Sequence, residues 1–385
     1  MVTTLPAVLI AGPPHAGKSV LTYNLTQALR RRDVPHYVLR ASPDGEGDWS
    51  QEMNQNTAQL IRVKGDWTPE FVSRVCADLE RRQLPLLVDP GGKPRDEQIC
   101  IFKHCTHAVL LLHQNDEETV RQWLDLTKAC NIPLLAYLYS EQKGTSMLLS
   151  SEPTIKGSLV GLERGTQSLQ GQPFDALVER IQSLFLSVVD PVKMHLEAVS
   201  AEQLVNLDSL LRNWMPPAKE WTSEMMRQLL TDLSAHTPLS VYGRGPNWLY
   251  GALAAHGDIA SFYQFNSRLG WVTPPPLELS TREMPEVHIT SHRNEDTTIL
   301  KIEPKYLDYS LCNNLAFPPV PLEHGLIIDG ALPQWLLTAL VRLYKGAGVA
   351  WIAYRYLRDE EGRAIVMTSR TDVPSLGDLV PLFIP

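Results

Sequence analysis

From residue 7 to about residue 186, short apolar runs alternate with stretches of helical periodicity. The runs 7–11, 36–40, 84–89, 107–112 and 133–138 predict strands, and three of them are continuously apolar, as in parallel strands covered on both faces. The stretches 18–32, 69–82, 117–130 and 173–188 predict helices. Regular alternation of this kind predicts an α/β fold with a doubly wound parallel sheet. Such a sheet binds ligands beyond the carboxyl ends of its strands. Residues 191–235 read as a helical connection, broken at Met215-Pro216-Pro217.

Beyond that break the chain repeats itself. Val241-Tyr242-Gly243-Arg244-Gly245-Pro246-Asn247-Trp248-Leu249 and Ile328-Asp329-Gly330-Ala331-Leu332-Pro333-Gln334-Trp335-Leu336 align without a gap. In each copy an apolar strand runs into a glycine turn, proline opens a helix, and a tryptophan packs early in it. Each helix precedes an aromatic-rich strand, Phe262–Phe265 in one copy and Trp351–Tyr354 in the other. The expected division is 1–190, a connection over 191–235, a first repeat over 236–284 that takes in part of the connection, and a second over 285–385.

The most specific chemistry lies at the end of the first strand. Gly12-Pro13-Pro14-His15-Ala16-Gly17-Lys18-Ser19 fits G-x-x-x-x-G-K-[ST] between a strand and a helix start. Its backbone amides and the helix N-terminus suit phosphate oxygens. Lys18 would reach the β- and γ-phosphates, and the Ser19 hydroxyl would ligate Mg²⁺. Leu84-Pro85-Leu86-Leu87-Val88-Asp89 is a buried-strand pattern ending in an acid, so Asp89 is a second candidate metal residue. Gly91-Gly92 follow it. After the second strand, Asp44, Glu46 and Asp48 alternate with glycines. Asp44 or Asp48 would serve as a catalytic base or metal ligand for a second substrate, or the run is a solvated turn; the sequence leaves both open. Arg62 and Lys64 read better as surface charges than as phosphate partners.

Composition narrows the class. The chain has 385 residues, 44% of them hydrophobic, a formal net charge of −8 and five cysteines. That length predicts two or three domains. The acidic balance argues against broad binding to long nucleic acid. The cysteines form no C-x-x-C pair and no zinc spacing, and their odd number reads as reduced thiols. With no secretory leader and no long apolar run, a cytoplasmic protein without membrane contact is expected.

The segment Gly243-Arg244-Gly245-Pro246-Asn247-Trp248-Leu249, followed by Phe265-Asn266-Ser267-Arg268-Leu269-Gly270, resembles the CRISPR-associated Csx-three family. The second copy resembles it over a greater length, with Thr298–Glu303, Gly325–Asp329, Ala364–Met367 and Gly377–Val380 as its strands. The first half, with its Arg40-to-Trp49 run, is similar to the NTPase portion of longer family members. The resemblance implies a P-loop NTPase followed by two tandem Csx-three-like α+β domains. It also implies a role in type III CRISPR defence, with binding of cyclic tetraadenylate between paired subunits and cleavage of that ring.

Carried onto this chain, the resemblance implies phosphate contacts at Gly243, Arg244, Gly245, Asn266 and Arg268, with His256 and Arg268 as catalytic candidates. The departures are equally specific. Asn266 stands where the family has an aspartate, and asparagine cannot take a proton. The second copy lacks the arginine of the Gly-Arg-Gly turn and reads as a degenerate site. The expected ligands are ATP, a divalent cation (Mg²⁺ or Mn²⁺) and a cyclic oligoadenylate, in a homo-oligomer. The alternatives are a kinase-like phosphotransferase regulated by the C-terminal folds, and an NTP-gated oligomerising protein without ring chemistry.

Overall fold

A computed structural model describes residues 5–41, 68–91, 99–113, 116–163, 165–166, 168–187, 190–256, 261–304, 307, 309, 312, 315–355 and 362–382. The candidates Asp44 and Asp48, and the charges Arg62 and Lys64, lie outside these residues. Two units form, Met1–Glu197 with Ser267–Gly270, and Ala198–Asn266 with Trp271–Pro385.

The first unit is built on strand β1 (Ala7–Ala11), in which every residue is buried. The other strands are β2 (Tyr37–Arg40), β3 (Leu86–Asp89), β4 (His107–Leu112), β5 (Leu134–Glu141), β6 (Met147–Ser150) and β7 (Ile155–Val160). They form one sheet in the order β2-β3-β1-β4-β5-β7-β6. Only β6 runs antiparallel to its neighbour. The helices are α1 (Lys18–Arg31), α2 (Pro69–Glu80), α3 (Ile99–Lys103), α4 (Glu117–Ala129), α5 (Gln172–Leu186) and α6 (Pro191–Glu197).

Alternation along β1 shows why a continuous apolar run is needed. Val8 and Ile10 pack with Leu21, Leu25, Leu177 and Phe185 of α1 and α5. Ala7, Leu9 and Ala11 face the opposite way, among Val72, Leu79, Phe102 and Trp123 of α2, α3 and α4. Local signals set the helix starts. Thr68 caps α2 by accepting from the Phe71 amide, with Pro69 at its first position, and Asp116 caps α4 by accepting from the Thr119 amide. The five strands and four long helices read from the sequence are all present, within two or three residues at their ends.

The second unit starts inside the stretch expected to be helical connection, where the structure places a strand, β8 (Gln203–Asn206). Then come α7 (Leu207–Arg212), α8 (Ser223–Asp232), β9 (Leu239–Tyr242), α9 (Asn247–His256), β10 (Phe262–Asn266) and β11 (Gly270–Val272). Strands β8, β9 and β10 are parallel, in the order β11-β10-β9-β8. The rest of the unit holds β12 (Leu277–Leu279), β13 (Val287–Arg293), β14 (Thr297–Pro304), β15 (Leu315–Phe317), β16 (Gly325–Asp329), α10 (Gln334–Ala347), β17 (Trp351–Arg355), β18 (Ala364–Ser369) and β19 (Leu379–Val380). Its main sheet runs β13-β14-β16-β17-β18-β19, with β14, β16 and β17 parallel.

The internal repeat is therefore a repeated arrangement, with β8, β9, α9 and β10 answering to β14, β16, α10 and β17. Register refines the alignment by one residue. Val241 pairs with Gln264, and its counterpart Ile328 pairs with Tyr354. Gln264 and Tyr354 are thus equivalent, as are Phe265 and Arg355. The copies are not separately cored. Val205, Val241, Trp248 and Phe262 share one apolar cluster with Leu300, Ile328, Trp335, Ile352 and Met367. Gly251 on α9 makes this closeness possible, since a Cβ there would lie 2.4 Å from Met367 Sδ.

Candidate functional site

In the first unit the loop after β1 has a shape that only glycine permits at two points. Gly12 has φ +145, and a Cβ there would fall 1.9 Å from the Leu111 carbonyl oxygen of β4. Gly17 has φ +89, and its Cβ would lie 2.6 Å from that of Leu162. His15 between them also takes positive φ, at 63. This geometry wraps the loop around the start of α1.

That helix end is unlike the starts of α2 and α4. Gly17 provides no side-chain cap, and the first turn of α1 has no acid. Its leading amides and the positive end of its dipole therefore meet no side-chain carboxylate of the helix itself. Lys18 is the first residue of α1 and only 7% exposed. Its ammonium folds back to donate to the Pro13 carbonyl at 2.7 Å. Burial lowers its pKa, and the Asp89 carboxylate opposes that shift.

Asp89 closes the cradle from the neighbouring strand β3. It is 5% exposed; one oxygen accepts from the Ser19 hydroxyl at 3.0 Å and the other from the Gly91 amide at 3.1 Å. The structure thus brings Gly12, Pro13, Pro14, His15, Ala16, Gly17, Lys18, Ser19 and Asp89 together at the carboxyl ends of β1 and β3. Ser19 and Asp89 form a pair of hard oxygens of the kind Mg²⁺ prefers.

In the second unit, Gly243 has φ +100, and its missing Cβ would lie 2.9 Å from the Asp208 amide nitrogen. Gly245 is pressed against Leu207, where a Cβ would lie 2.8 Å from the leucine Cδ1. The Tyr250 hydroxyl donates to the Gly243 carbonyl at 2.5 Å. In the second copy, Gly330 has φ +144, and the Tyr354 hydroxyl donates to its carbonyl at 2.7 Å. Both helices start on a proline carbonyl, which accepts at 3.0 Å from Leu249 in α9 and from Leu336 in α10.

The two glycine turns adjoin. The Asn247 side-chain amide donates to the Leu332 carbonyl at 2.9 Å. At the other end of α9, Arg342 and Lys345 of α10 donate to the carbonyls of Ala254 and Ala255. The helices therefore run side by side in the same direction, and both N-termini reach one edge of the unit. Two ion pairs flank that edge, Arg244 with Asp208 at 3.0 Å and Arg355 with Asp329 at 3.2 Å.

Not every residue expected at this site arrives there. Asn266 does, since it and Gly243 each lie two residues past the paired Val241 and Gln264. His256 does not. It is the last residue of α9, about 13 Å along the axis from Asn247, and its Nε2 faces the Leu233 carbonyl at 3.0 Å. Arg268 lies in the turn grouped with the first unit, where its guanidinium pairs with Asp78 of α2 at 2.5 Å. The sequence pattern gave neither partner, because Asp78 and Leu233 are remote in the chain.

Sequence reasoning also missed a cluster on α2 and α3. Cys76 and Cys100 bring their sulfurs to 2.8 Å, with His104 beside them. The residues that meet are Cys76, Cys100 and a histidine four positions after the second cysteine, a pattern without the short C-x-x-C signature.

The protein is a mixed α/β molecule whose first unit carries a parallel-rich sheet and whose second unit carries a repeated strand–turn–helix–strand. Residues 300–381, from β14 through β19, match the family model described as CRISPR-associated protein (Cas_csx3). That match supports a CRISPR-associated domain of the Csx-three family over this part of the chain. Comparison of the chain with curated proteins gives no match. No helix among the described residues is long and apolar enough to cross a membrane.

Proposed function

We propose that the chain is a cytoplasmic, ATP-binding CRISPR accessory protein of type III systems that holds a cyclic oligoadenylate in its second unit. One observation carries the nucleotide half: a nearly buried lysine lies over a glycine loop at a helix end without side-chain cap or first-turn acid. An ammonium in that position is costly unless it serves an anion that arrives later. Its partner would be the β- and γ-phosphates of ATP, with the loop amides supplying further donors. Ser19 and Asp89 would hold Mg²⁺, which bridges β- and γ-phosphate oxygens when bound.

For the ring, the supporting observation is the adjoining pair of glycine turns. Two helix N-termini and two arginines at one edge suit a ligand with several phosphates. One polypeptide would then supply both halves of a surface that single-fold relatives would build from two subunits. Binding is better supported than cleavage. Asn266 replaces the acid, and His256 lies at the far end of α9.

Isothermal titration at physiological salt tests both halves. ATP with Mg²⁺ and cyclic tetraadenylate should each give saturable heat, and the recovered ring should be intact. Arg244→Ala should weaken ring binding and leave ATP binding alone. No heat from the ring would remove the second half of the reading; no heat from ATP would remove the first.

A further inference from the structure

We propose that Cys76, Cys100, His104 and Glu80 form a structural zinc site that staples α2 to α3. The two helices contribute matching pairs, Cys76 with Glu80 on α2, and Cys100 with His104 at the end of α3, each four residues apart. Such pairs project from one face of a helix.

The two sulfurs and a ring nitrogen of His104 all lie within 4.8 Å of one another. Ligand atoms around tetrahedral zinc are separated by about 3.4 to 3.8 Å, given its bond lengths to nitrogen and sulfur. These three ligand atoms are therefore near that geometry already, and the exposed Glu80 carboxylate, held at His104 but outside that spacing, would swing in to complete it. The sulfurs, at 2.8 Å, would open by about 1 Å on loading. Cys100 is exposed and Cys76 buried, so a cation can enter from the Cys100 side.

The histidine is oriented for the same purpose. Its Nδ1 lies 2.8 Å from the Cys100 carbonyl, which can only accept, so Nδ1 carries a proton. In the neutral ring the lone pair is then on Nε2, which faces a Glu80 carboxylate oxygen at 2.8 Å. Two electron-rich atoms face each other there, and a zinc ion would draw both towards itself. A backbone carbonyl fixing the other nitrogen is the usual way a metal-binding histidine is held.

Two thiolates, an imidazole and a carboxylate suit zinc better than magnesium or calcium. Four protein ligands close the coordination sphere, which marks a structural rather than catalytic metal. Binding releases the thiol protons, so affinity should fall on acidification.

The test uses the full chain, purified under reducing conditions, stripped with a chelator and titrated with Zn²⁺ or Co²⁺. One equivalent should bind, and the cobalt form should show thiolate charge-transfer and tetrahedral d–d absorption. Cys100→Ser, at an exposed position, and His104→Gln should each lower Zn²⁺ affinity about tenfold or more. Zinc should raise the melting temperature of the native chain but not of Cys100→Ser. Substoichiometric binding of both metals, undiminished affinity in both variants, or a Cys76–Cys100 disulfide persisting under reductant would each overturn the assignment.

Discussion

Replacing Lys18 with methionine should leave the fold intact while removing ATP binding. In the folded chain the ammonium is 7% exposed and, among the described residues, donates to the Pro13 carbonyl. A charge-assisted bond of this kind contributes about 1.5 to 3 kcal/mol. Desolvating the charge costs several kcal/mol and opposes it. Methionine fills similar volume without that cost, so Lys18→Met should change stability by about 1 kcal/mol or less, in either direction. The same substitution removes the lysine's contact with phosphate, for which about 2 to 4 kcal/mol is expected, or roughly 30- to 1,000-fold in Kd.

The pH dependence adds an independent check. Burial lowers the lysine's pKa below its ordinary 10.5, so near that range the unfolded chain binds more protons than the folded one. Native stability should therefore rise with pH from the depressed folded value up to about 10.5, and Lys18→Met should lose that rise. Urea unfolding between pH 7 and 10.5, with calorimetric titration of ATP and Mg²⁺, measures all three quantities. A large loss of stability with ATP affinity unchanged would refute the reasoning, because Lys18 would then be a structural group.

Gly12→Ala should destabilise the first unit by about 3 kcal/mol or more, since a Cβ would strike the Leu111 carbonyl and φ is +145; thermal unfolding checks this. Asn247→Ala should cost about 1 kcal/mol by removing the bridge to Leu332, and calorimetry should show weaker cyclic tetraadenylate binding as the glycine turns separate. His195 has its pKa pushed down to about 4 by burial, against a hydrogen bond from its ring to the Gln83 backbone carbonyl and the Asp190 charge. Its folded form stays neutral where the unfolded form protonates, so stability should fall as pH drops from about 6.5 towards 4. His195→Gln should flatten that slope in urea midpoints measured across the window.

Some features were legible because their causes are local. The loop from Gly12 to Ser19 follows from a strand, two glycines and a helix start adjacent in the chain. The run ending at Asp89 forms a strand because an apolar stretch in this pattern must be covered on both faces. The repeat around Gly243 and Gly330 could be read residue by residue, since glycine and proline restrict backbone angles wherever they occur. Strand β8 escaped notice because Gln203-Leu204-Val205-Asn206 is short and half polar. Only its pairing with β9 makes it a strand. Strands β6 and β7 were missed too: β6 is the partly exposed edge of the sheet, and β7, though mostly buried, carries Lys156, Gly157 and Ser158 in place of an apolar run.

Side-chain partners depended on the fold. Nothing local assigns Arg268 to Asp78, Arg244 to Asp208 or Cys76 to Cys100, because each pairing joins segments remote in sequence. The one-residue offset that makes Arg355 the counterpart of Phe265 is likewise a property of strand register. Backbone preference and hydrophobic period are written into neighbouring residues, and from them the sequence determined most of the elements and the glycine loop between β1 and α1. Which charges meet, and that two repeats share one core and turn both helix starts to one edge, were decided by long-range packing. That packing depends on where the whole chain can bury its apolar surface.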